Sequence, residues 1–116
     1  MFRLKFGNRK VEVDGIRFSS QREAQFYAEL KLREKAGEIR NLELQPRFTL
    51  QPAFKNAAGK KIRPLVYIAD FKFWDEIEKR IRIVDVKGFR PYSYEIKKKL
   101  FDFLMVPQNI YLEEET

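Results

Sequence analysis

The chain of 116 residues contains neither cysteine nor histidine. Zinc ribbons, haem attachment sites, thiol nucleophiles, Ser-His-Asp triads and histidine-based nucleases all need a thiolate or an imidazole, so these classes of site are excluded. Side chains that bind a metal in this chain must therefore do so through oxygen. Oxygen-only sites suit hard cations such as Mg²⁺ or Mn²⁺.

Long apolar segments are also missing. No run approaches the roughly 20 residues that a transmembrane helix needs, and the start Met1-Phe2-Arg3-Leu4-Lys5 lacks the apolar stretch of a signal peptide. We therefore expect a protein of the host-cell cytoplasm. The length and the hydrophobic content of 44% are typical of a domain that needs no disulfide or zinc support, so residues 1–116 are predicted to form a single domain.

Acidic residues are outnumbered by basic ones. The chain has 17 Asp and Glu against 24 Lys and Arg, which gives a net charge of +7. This balance favours a polyanionic partner, and nucleic acid in particular. The alternative is a solvated basic surface without a specific partner. A membrane-surface helix is disfavoured because the positive charges are spread along the whole chain.

The hydrophobic pattern predicts an α/β fold with an N-terminal hairpin over residues 1–18, turning at Asp14-Gly15, and a core over residues 19–113. The predicted core begins with a helix over 19–36 that is ended by Gly37. An interrupted edge strand over 42–54 and buried strands over 65–73 and 80–87 follow. A helix from Pro91 to Pro107, with Ser93 as N-cap, and a closing strand over 109–112 complete the core. The residues expected to face the core are Ala24, Tyr27, Ala28, Leu30 and Leu32 on the first helix and Ile96, Leu100, Phe101 and Leu104 on the second.

Two acidic residues lie within the predicted buried strands. Asp70 is the only acid in 65–73, and Asp85 and Lys87 point to the same face of 80–87 because strand side chains alternate. If Asp70 lies across the hairpin on that face, the two carboxylates stand about 5 Å apart and repel each other without a cation. A divalent metal there would activate water for phosphodiester cleavage, with Lys87 offsetting negative charge. The alternative is ordinary solvated charges, since Asp-x-Lys triplets are common.

Glu23 is a third acid with two interpretations. As the fourth residue of Ser20-Gln21-Arg22-Glu23, it fits a capping box, in which its carboxylate reaches back to the N-cap backbone. Alternatively, the same first-turn carboxylate points toward the metal and binds it directly or through water. The local pattern favours neither interpretation.

These motifs together resemble a family of small phage and prophage proteins that is grouped with the PD-(D/E)XK nucleases. The segments that carry the resemblance are Ser20-Gln21-Arg22-Glu23-Ala24, Leu42-Glu43-Leu44-Gln45-Pro46-Arg47-Phe48, Tyr67-Ile68-Ala69-Asp70-Phe71, Asp85-Val86-Lys87-Gly88 and the lysine-rich helix near Lys97. The resemblance covers residues 16–105 and is specific through the ordered set of motifs. Two positions depart from the pattern: Ala69 stands where the signature has proline, and Val84 stands where an extra acid is expected.

The resemblance implies a restriction-endonuclease-like core of helix, three strands, helix and strand. It also implies that Asp70 and Asp85 are metal ligands, that Lys87 is the catalytic lysine, and that Glu23 is the helix-borne acid. The Val86 carbonyl is a further candidate ligand for Mg²⁺ or Mn²⁺.

Basic residues beside this motif are expected to hold the phosphate backbone of a substrate. The candidates are Arg90, Lys97, Lys98 and Lys99, and such contacts give affinity that depends on salt and little on sequence. For any single lysine, an ordinary solvated helix face is the alternative.

The sequence therefore predicts a Mg²⁺- or Mn²⁺-dependent DNA endonuclease, and the resemblance suggests a phage role in recombination, junction resolution or genome processing. A DNA-binding module that does not cut is the alternative. A structural or regulatory phage protein whose basic charge serves association alone is a third. Cutting branched DNA usually requires two sites in a homodimer, and the sequence leaves the oligomeric state open.

Overall fold

The computed structural model describes residues 10–116, so the first nine residues of the predicted N-terminal segment, including Met1 to Lys5, lie outside the described part. Its strands are β1 (Val11–Val13), β2 (Ile16–Phe18), β3 (Ile39–Leu44), β4 (Arg47–Gln51), β5 (Phe54–Lys55), β6 (Lys61–Ile62), β7 (Leu65–Ile68), β8 (Phe71–Asp75), β9 (Arg80–Val86) and β10 (Leu112–Glu115). Its helices are α1 (Gln21–Lys35), α2 (Tyr92–Met105) and a short 3-10 helix at Val106–Gln108. The fold is α/β, and no helix in residues 10–116 is long and apolar enough to cross a membrane.

The predicted turn and first helix are confirmed. β1 and β2 pair in antiparallel fashion around Asp14 and Gly15, whose φ angles of 54° and 76° are those that a two-residue hairpin turn requires. The Ser20 hydroxyl caps the start of α1, and Gly37 follows its end with a φ of 79°. The predicted inward orientation of Ala28 and Leu32 is wrong, because both residues are exposed, Leu32 by 68%.

A four-stranded mixed sheet forms the centre of the fold, in the order β10-β9-β8-β3. β9 is antiparallel to β8 and parallel to β10. The closing strand was predicted too early, over 109–112. The 3-10 helix ends at Gln108 and Asn109 follows it with a left-handed φ of 60°, so residues 109–111 form no strand; the strand starts at Leu112 and includes the acidic residues 113–115.

The two helices cover opposite faces of this sheet. The layer under α1 contains Phe18, Ala24, Tyr27, Leu30, Ile39, Phe71, Phe73 and Val84. The layer under α2 contains Leu50, Tyr67, Ala69, Ile83, Tyr94, Phe101 and Leu112. β9 contributes to both layers through alternate residues, since Val84 faces α1 and Ile83 faces α2.

The predicted start and inner face of α2 need correction. Pro91, not Ser93, is the N-cap residue, and its side chain makes no capping hydrogen bond. Ile96 and Leu104 are 49% and 40% exposed, whereas Tyr94 and Phe101 are buried. Because Tyr94 and Phe101 lie seven residues apart, they form one stripe along the helix, and that stripe packs on the sheet.

The predicted strand over 65–73 is not continuous. Its first part, β7, pairs with β4 outside the central sheet, and its second part, β8, pairs with β3 and β9 inside it. At the break, the Gln45 N–H donates to the Asp70 carbonyl at 2.9 Å and the Ala69 N–H donates to the Pro46 carbonyl at 3.1 Å. Pro46 has no N–H to donate, and Gln45 adopts a φ of 52°, so the paired strands bend here.

Beyond this bend, β4, β5, β6 and β7 form a two-stranded antiparallel ribbon that leaves the sheet. We call residues 46–69 the arm. Its base packs on α2, where the rings of Phe48 and Phe101 meet at 5.0 Å between centroids and those of Tyr67 and Phe101 at 5.9 Å. Its tip turns at the predicted polar segment, where the Asn56 side chain accepts from the N–H groups of Ala58 and Lys60.

Asp75 lies at the opposite end of β8, 1% exposed, and its carboxylate has several donors. Oδ1 accepts from the N–H groups of Ile77 and Glu78 at 2.8 and 2.9 Å, and Oδ2 from the guanidinium groups of Arg82 and Arg33 at 3.0 and 3.3 Å. Burial alone would raise the pKa of Asp75, but these donors outweigh it and lower the pKa to about 2. The ionised carboxylate therefore holds the β8–β9 turn and α1 together.

Replacing Asp75 by Asn should lower the free energy of unfolding at pH 7 by about 2–3 kcal/mol, because Arg33 and Arg82 lose their buried charged partner and keep only more exposed ones. Since the folded pKa lies below the ordinary value of 3.8, the wild-type advantage should be complete above about pH 4 and disappear as the pH falls through about 2. Urea denaturation across this range measures it. The exposed Glu12→Gln is the control, and equal stability of wild type and Asp75→Asn at pH 7 would contradict the assignment.

Candidate active site

Asp70 and Asp85 meet where the arm leaves the sheet. Asp85 lies near the end of β9, as predicted, but Asp70 lies in the bend between β7 and β8 and not within a strand. The last β8–β9 pair is Phe71 with Val84, and the same register extended by one residue sets Asp70 opposite Asp85. The bend thus places Asp70 just before the start of β8, next to Asp85, which is buried in the sheet.

The two aspartates are joined through backbone hydrogen bonds. The Asp70 N–H donates to Asp85 Oδ1 at 2.7 Å, and the Val86 N–H donates to Asp70 Oδ2 at 2.9 Å. Each carboxylate therefore uses one oxygen to hold the strand opposite. We call this pair of hydrogen bonds the aspartate clasp. Asp85 Oδ2 is buried and has no hydrogen-bond partner among the described residues.

Burial dominates the electrostatics of the clasp. It raises the pKa of Asp70 to about 6, with the Val86 N–H opposing the shift and the negative charge of Glu23 adding to it. Burial likewise raises the pKa of Asp85 to about 6, while Lys87 opposes the shift. A cation bound between these carboxylates would remove this cost, since it stabilises the ionised form of both.

Lys87 provides the positive charge closest to Asp85. Its Nζ lies 3.8 Å from Asp85 Oδ2, the oxygen without a hydrogen-bond partner. The same ammonium lies 4.4 Å from the centroid of the Tyr94 ring on α2, a cation–π contact that fixes its direction. Asp85 and Lys87 thus lie on the side of β9 that α2 covers, in agreement with their alternation in the sequence.

Glu23 is buried, with 7% of its surface exposed. Its N–H donates to the Ser20 hydroxyl at 3.1 Å, which is half of the predicted capping box, but its carboxylate accepts from the Ser19 hydroxyl at 2.6 Å. Glu23 and Asp70 both line a cavity of about 170 Å³. The carboxylate of Glu23 thus bonds to a side chain and not to the N-cap backbone, and its residue borders the same cavity as Asp70.

The carboxylate oxygens at this site supply part of the ligand set that a hard cation requires. Two carboxylates, one with an unsatisfied buried oxygen, are ligands that Mg²⁺ or Mn²⁺ accepts. No group of three acidic side chains in residues 10–116 is arranged to hold a metal, and metal binding by Glu23, directly or through water, stays a prediction. Val86 ends β9 beside them, and its carbonyl stays a predicted ligand.

Glu114 is a further acid at the site that the sequence analysis missed. The parallel pairing of β10 with β9 places it beside Asp85, and its charge adds to the raised pKa of Asp85. Its carboxylate accepts from the Tyr94 hydroxyl at 2.7 Å and from Arg90 Nε at 2.9 Å. These contacts lower the pKa of Glu114, the Tyr94 hydrogen bond most of all. The predicted closing strand ended at residue 112 and so did not include this position.

The four basic residues predicted to contact phosphate have different surroundings. Arg90 pairs with Glu114, and Lys98 pairs with Asp102 at 3.0 Å. Lys97 is half-buried, with Nζ 3.3 Å from the Val66 carbonyl of the arm, and it lines a groove with Lys87 and Tyr94. Lys99 is exposed on α2. Lys97 is therefore the one of the four that shares a groove with the catalytic candidates, and phosphate binding by any of them stays a prediction.

Comparison with protein families gives one match that covers most of the chain. The model of a family described as "Protein of unknown function (DUF1064)" matches residues 3–112. The chain belongs to this family. Searches of the curated proteins and of the solved structures give no significant match. The matched residues include α1, the arm and the aspartate clasp, so Glu23, Asp70, Asp85 and Lys87 lie within them, whereas Glu114 lies just beyond them.

In metal-free buffer, Asp85→Asn should be more stable than wild type at pH 8, by about 1–2 kcal/mol, because an uncharged amide avoids the cost of a buried charge. The folded pKa of about 6 lies above the ordinary value of 3.8, so the folded state holds its proton more tightly and wild-type stability falls as the pH rises from about 4 to about 6. The advantage of Asn should accordingly vanish near pH 4.

Thermal denaturation with a chelator present measures this difference. Asp75→Asn is the matched control, since it removes a buried aspartate of the same sheet whose pKa is lowered. A loss of stability in Asp85→Asn at pH 8 would show that Asp85, like Asp75, serves to hold the fold.

Proposed function

We propose that this protein is a Mg²⁺- or Mn²⁺-dependent DNA endonuclease with a restriction-endonuclease-like core. The observation that carries the proposal is the aspartate clasp with Lys87 beside it. Two carboxylates with raised pKa values meet where the central strands β8 and β9 end their pairing, and the unpartnered Asp85 Oδ2 lies 3.8 Å from an ammonium. Clustered ionisable groups with shifted pKa values favour a functional site over a structural one.

The order of elements also supports the proposed core. After the N-terminal hairpin, the chain forms α1, then β3, β8 and β9 of the central sheet, then α2 and β10. This is the helix, three strands, helix and strand that the resemblance implies, with the arm inserted between β3 and β8. A phage or prophage role in recombination, junction resolution or genome processing forms part of the proposal on the basis of the resemblance.

The two departures from the family pattern have physical explanations. Ala69 stands where the signature has proline, and its N–H donates to the Pro46 carbonyl, a bond that proline could not form. Val84 stands where an extra acid was expected, and it lies 1% exposed in the apolar layer under α1, where a carboxylate would lack partners. Neither change removes a group of the proposed site.

In this proposal, Asp70 and Asp85 would hold the cation, with the Val86 carbonyl as a further ligand. When bound, Mg²⁺ or Mn²⁺ lowers the pKa of water and neutralises charge on the phosphate. Lys87 offsets the charge that develops on the scissile phosphate. Tyr94 holds the Lys87 ammonium through its ring and the Glu114 carboxylate through its hydroxyl. Tyr94 is thus a positioning residue in this scheme.

Asp70→Asn and Asp85→Asn should abolish cleavage of DNA with Mn²⁺, and Lys87→Ala should slow it about a hundredfold. Binding of DNA in a chelator should persist or tighten slightly in the Asp variants, because each removes a negative charge that faces a polyanion. Linear, branched, flapped and single-stranded DNA are the substrates to compare by gel assay. Glu29→Gln, an exposed acid on α1, is the control.

A DNA-binding module that does not cut is the second candidate. It is favoured by the lack of a three-acid ligand set within residues 10–116. If wild-type protein binds these DNAs but cuts none of them with Mg²⁺ or Mn²⁺, this candidate replaces the nuclease proposal. Metal binding gives a separate measurement, since a nuclease site predicts that Mn²⁺ raises the melting temperature of wild type and not of Asp85→Asn.

Glu23→Gln separates the two interpretations of Glu23. The amide oxygen of Gln can still accept from the Ser19 hydroxyl, so a capping role predicts wild-type cleavage and stability. A role near the metal predicts a large loss of cleavage rate without unfolding, and the cavity shared with Asp70 leads us to expect this result. Cleavage rate and circular dichroism should be measured together, with Glu29→Gln on the same helix as the control.

A further inference from the structure

The arm has an unusual distribution of charge. Between Glu43 and Asp70 the sequence contains no acidic residue, and it contains five basic ones. These five, all exposed, are Arg47, Lys55, Lys60, Lys61 and Arg63. A large part of the net charge of +7 is therefore concentrated on one projecting element.

None of these five arm residues takes part in an ion pair with another residue in the range 10–116. The ion pairs of the described part lie on α1, α2 and the central sheet, where Arg33, Arg80, Arg82 and Arg90 all have acidic partners. Outside the arm, basic residues with and without an ion pair occur side by side: Arg22, Lys35, Lys72, Lys97 and Lys99 of the helices and sheet have none in the described part. The positive charge of the arm is available to an external anion.

The tip of the arm places two lysines directly opposite each other. Lys55 and Lys61 are paired residues of β5 and β6, so their side chains share one face of the ribbon. Like charges in this position repel and destabilise the pairing. The neighbouring pair, Phe54 with Ile62, lies on the other face. An external anion between the two lysines would relieve the repulsion.

The outer part of the arm has no hydrophobic core of its own, and local hydrogen bonds maintain its conformation. Residues 52–64 are exposed except for the half-buried Ile62. The Asn56 side chain closes the tip by accepting two backbone N–H groups, and the Asn56 N–H itself donates to the Lys60 carbonyl at 2.9 Å. The packing of Phe48 and Tyr67 on α2 anchors the base. A rigid basic ribbon presents its charges without the entropy cost of ordering a loop.

The arm begins at the candidate site. Gln45 and Asp70 face each other at its base, and the groove that contains Lys87 and Lys97 is lined by Val66 and Ile68 of the arm. The strand path from Arg47 to Lys55 spans up to about 26 Å at about 3.3 Å per residue. Duplex DNA has a phosphate every 3.4 Å or so along each strand, so this length matches about eight base pairs.

We propose that the arm clamps duplex DNA, with the Lys55–Lys61 tip docked in the major groove while the backbone lies at the aspartate clasp. The major groove, about 12 Å wide, admits a two-stranded ribbon, and its walls carry the phosphates that the lysines would contact. The inference takes the identity of its ligand from the proposed function. It adds a binding surface and a preference for double-stranded over single-stranded substrate.

The test compares Lys55→Gln/Lys61→Gln with Lys31→Gln/Lys35→Gln, which removes the same charge from α1. Binding of a 20-base-pair duplex is measured by fluorescence anisotropy in a chelator over a series of salt concentrations. The arm variant should bind about tenfold or more weakly than wild type, and its plot of log affinity against log salt should be less steep by about two. The α1 variant should change the affinity much less.

Equal weakening by the two variants would overturn the proposal, since it would show that net charge alone sets the affinity. An equal loss of single-stranded DNA binding in the arm variant would overturn docking in the groove of a duplex. Circular dichroism and melting temperature establish that both variants are folded.

The outcome is separable from that of the nuclease proposal, because binding is measured without a divalent metal. Duplex binding through the arm with no cleavage in Mn²⁺ would support the arm and reject the nuclease. Cleavage by wild type together with unchanged binding by the arm variant would support the nuclease proposal and reject the DNA-binding role of the arm.

Discussion

The aspartate clasp is the interaction on which the rest of this structure depends. One oxygen of each carboxylate accepts a backbone N–H from the opposite strand, at 2.7 Å to Asp85 and 2.9 Å to Asp70. These bonds fix the point at which the arm separates from the sheet, where the regular β8–β9 ladder has ended. The same bonds leave Asp85 Oδ2 buried without a partner, so the joint that sets the architecture is also the candidate catalytic centre.

The sheet contains two kinds of buried aspartate, and their donors explain the difference. Asp75 has N–H donors on one oxygen and two guanidinium groups on the other, which hold its pKa at about 2. Asp85 receives one backbone N–H and lies 3.8 Å from one ammonium, so burial prevails and raises its pKa to about 6. A buried charge with several donors, such as Asp75, stabilises a fold, whereas a buried carboxylate with a raised pKa, such as Asp85, is more typical of a functional site.

Charge is also divided between the arm and the rest of the fold. Arg33, Arg40, Arg80 and Arg82 of α1 and the central sheet pair with acids, as Arg82 does with Asp75 and Glu113, while the basic residues of the arm have no such partners in the described part. The candidate site lies at the boundary between the two. The unpaired positive charge of the arm would attract a polyanion over a long distance, and because the clasp lies at the base of the arm, the bound polyanion would lie close to it.

The sequence by itself determined the features that depend on neighbouring residues: the Asp14-Gly15 turn, the Ser20 and Gly37 ends of α1, and the separation of Asp85 and Lys87 by one residue on a strand. Tertiary structure decided the bend at Asp70, the outward direction of Leu32, Ile96 and Leu104, and the position of Glu114 beside Asp85. The bend depends on Pro46 across the ribbon, and the place of Glu114 depends on a parallel pairing with β9. These outcomes come from contacts between distant segments, whose free energy no local pattern contains.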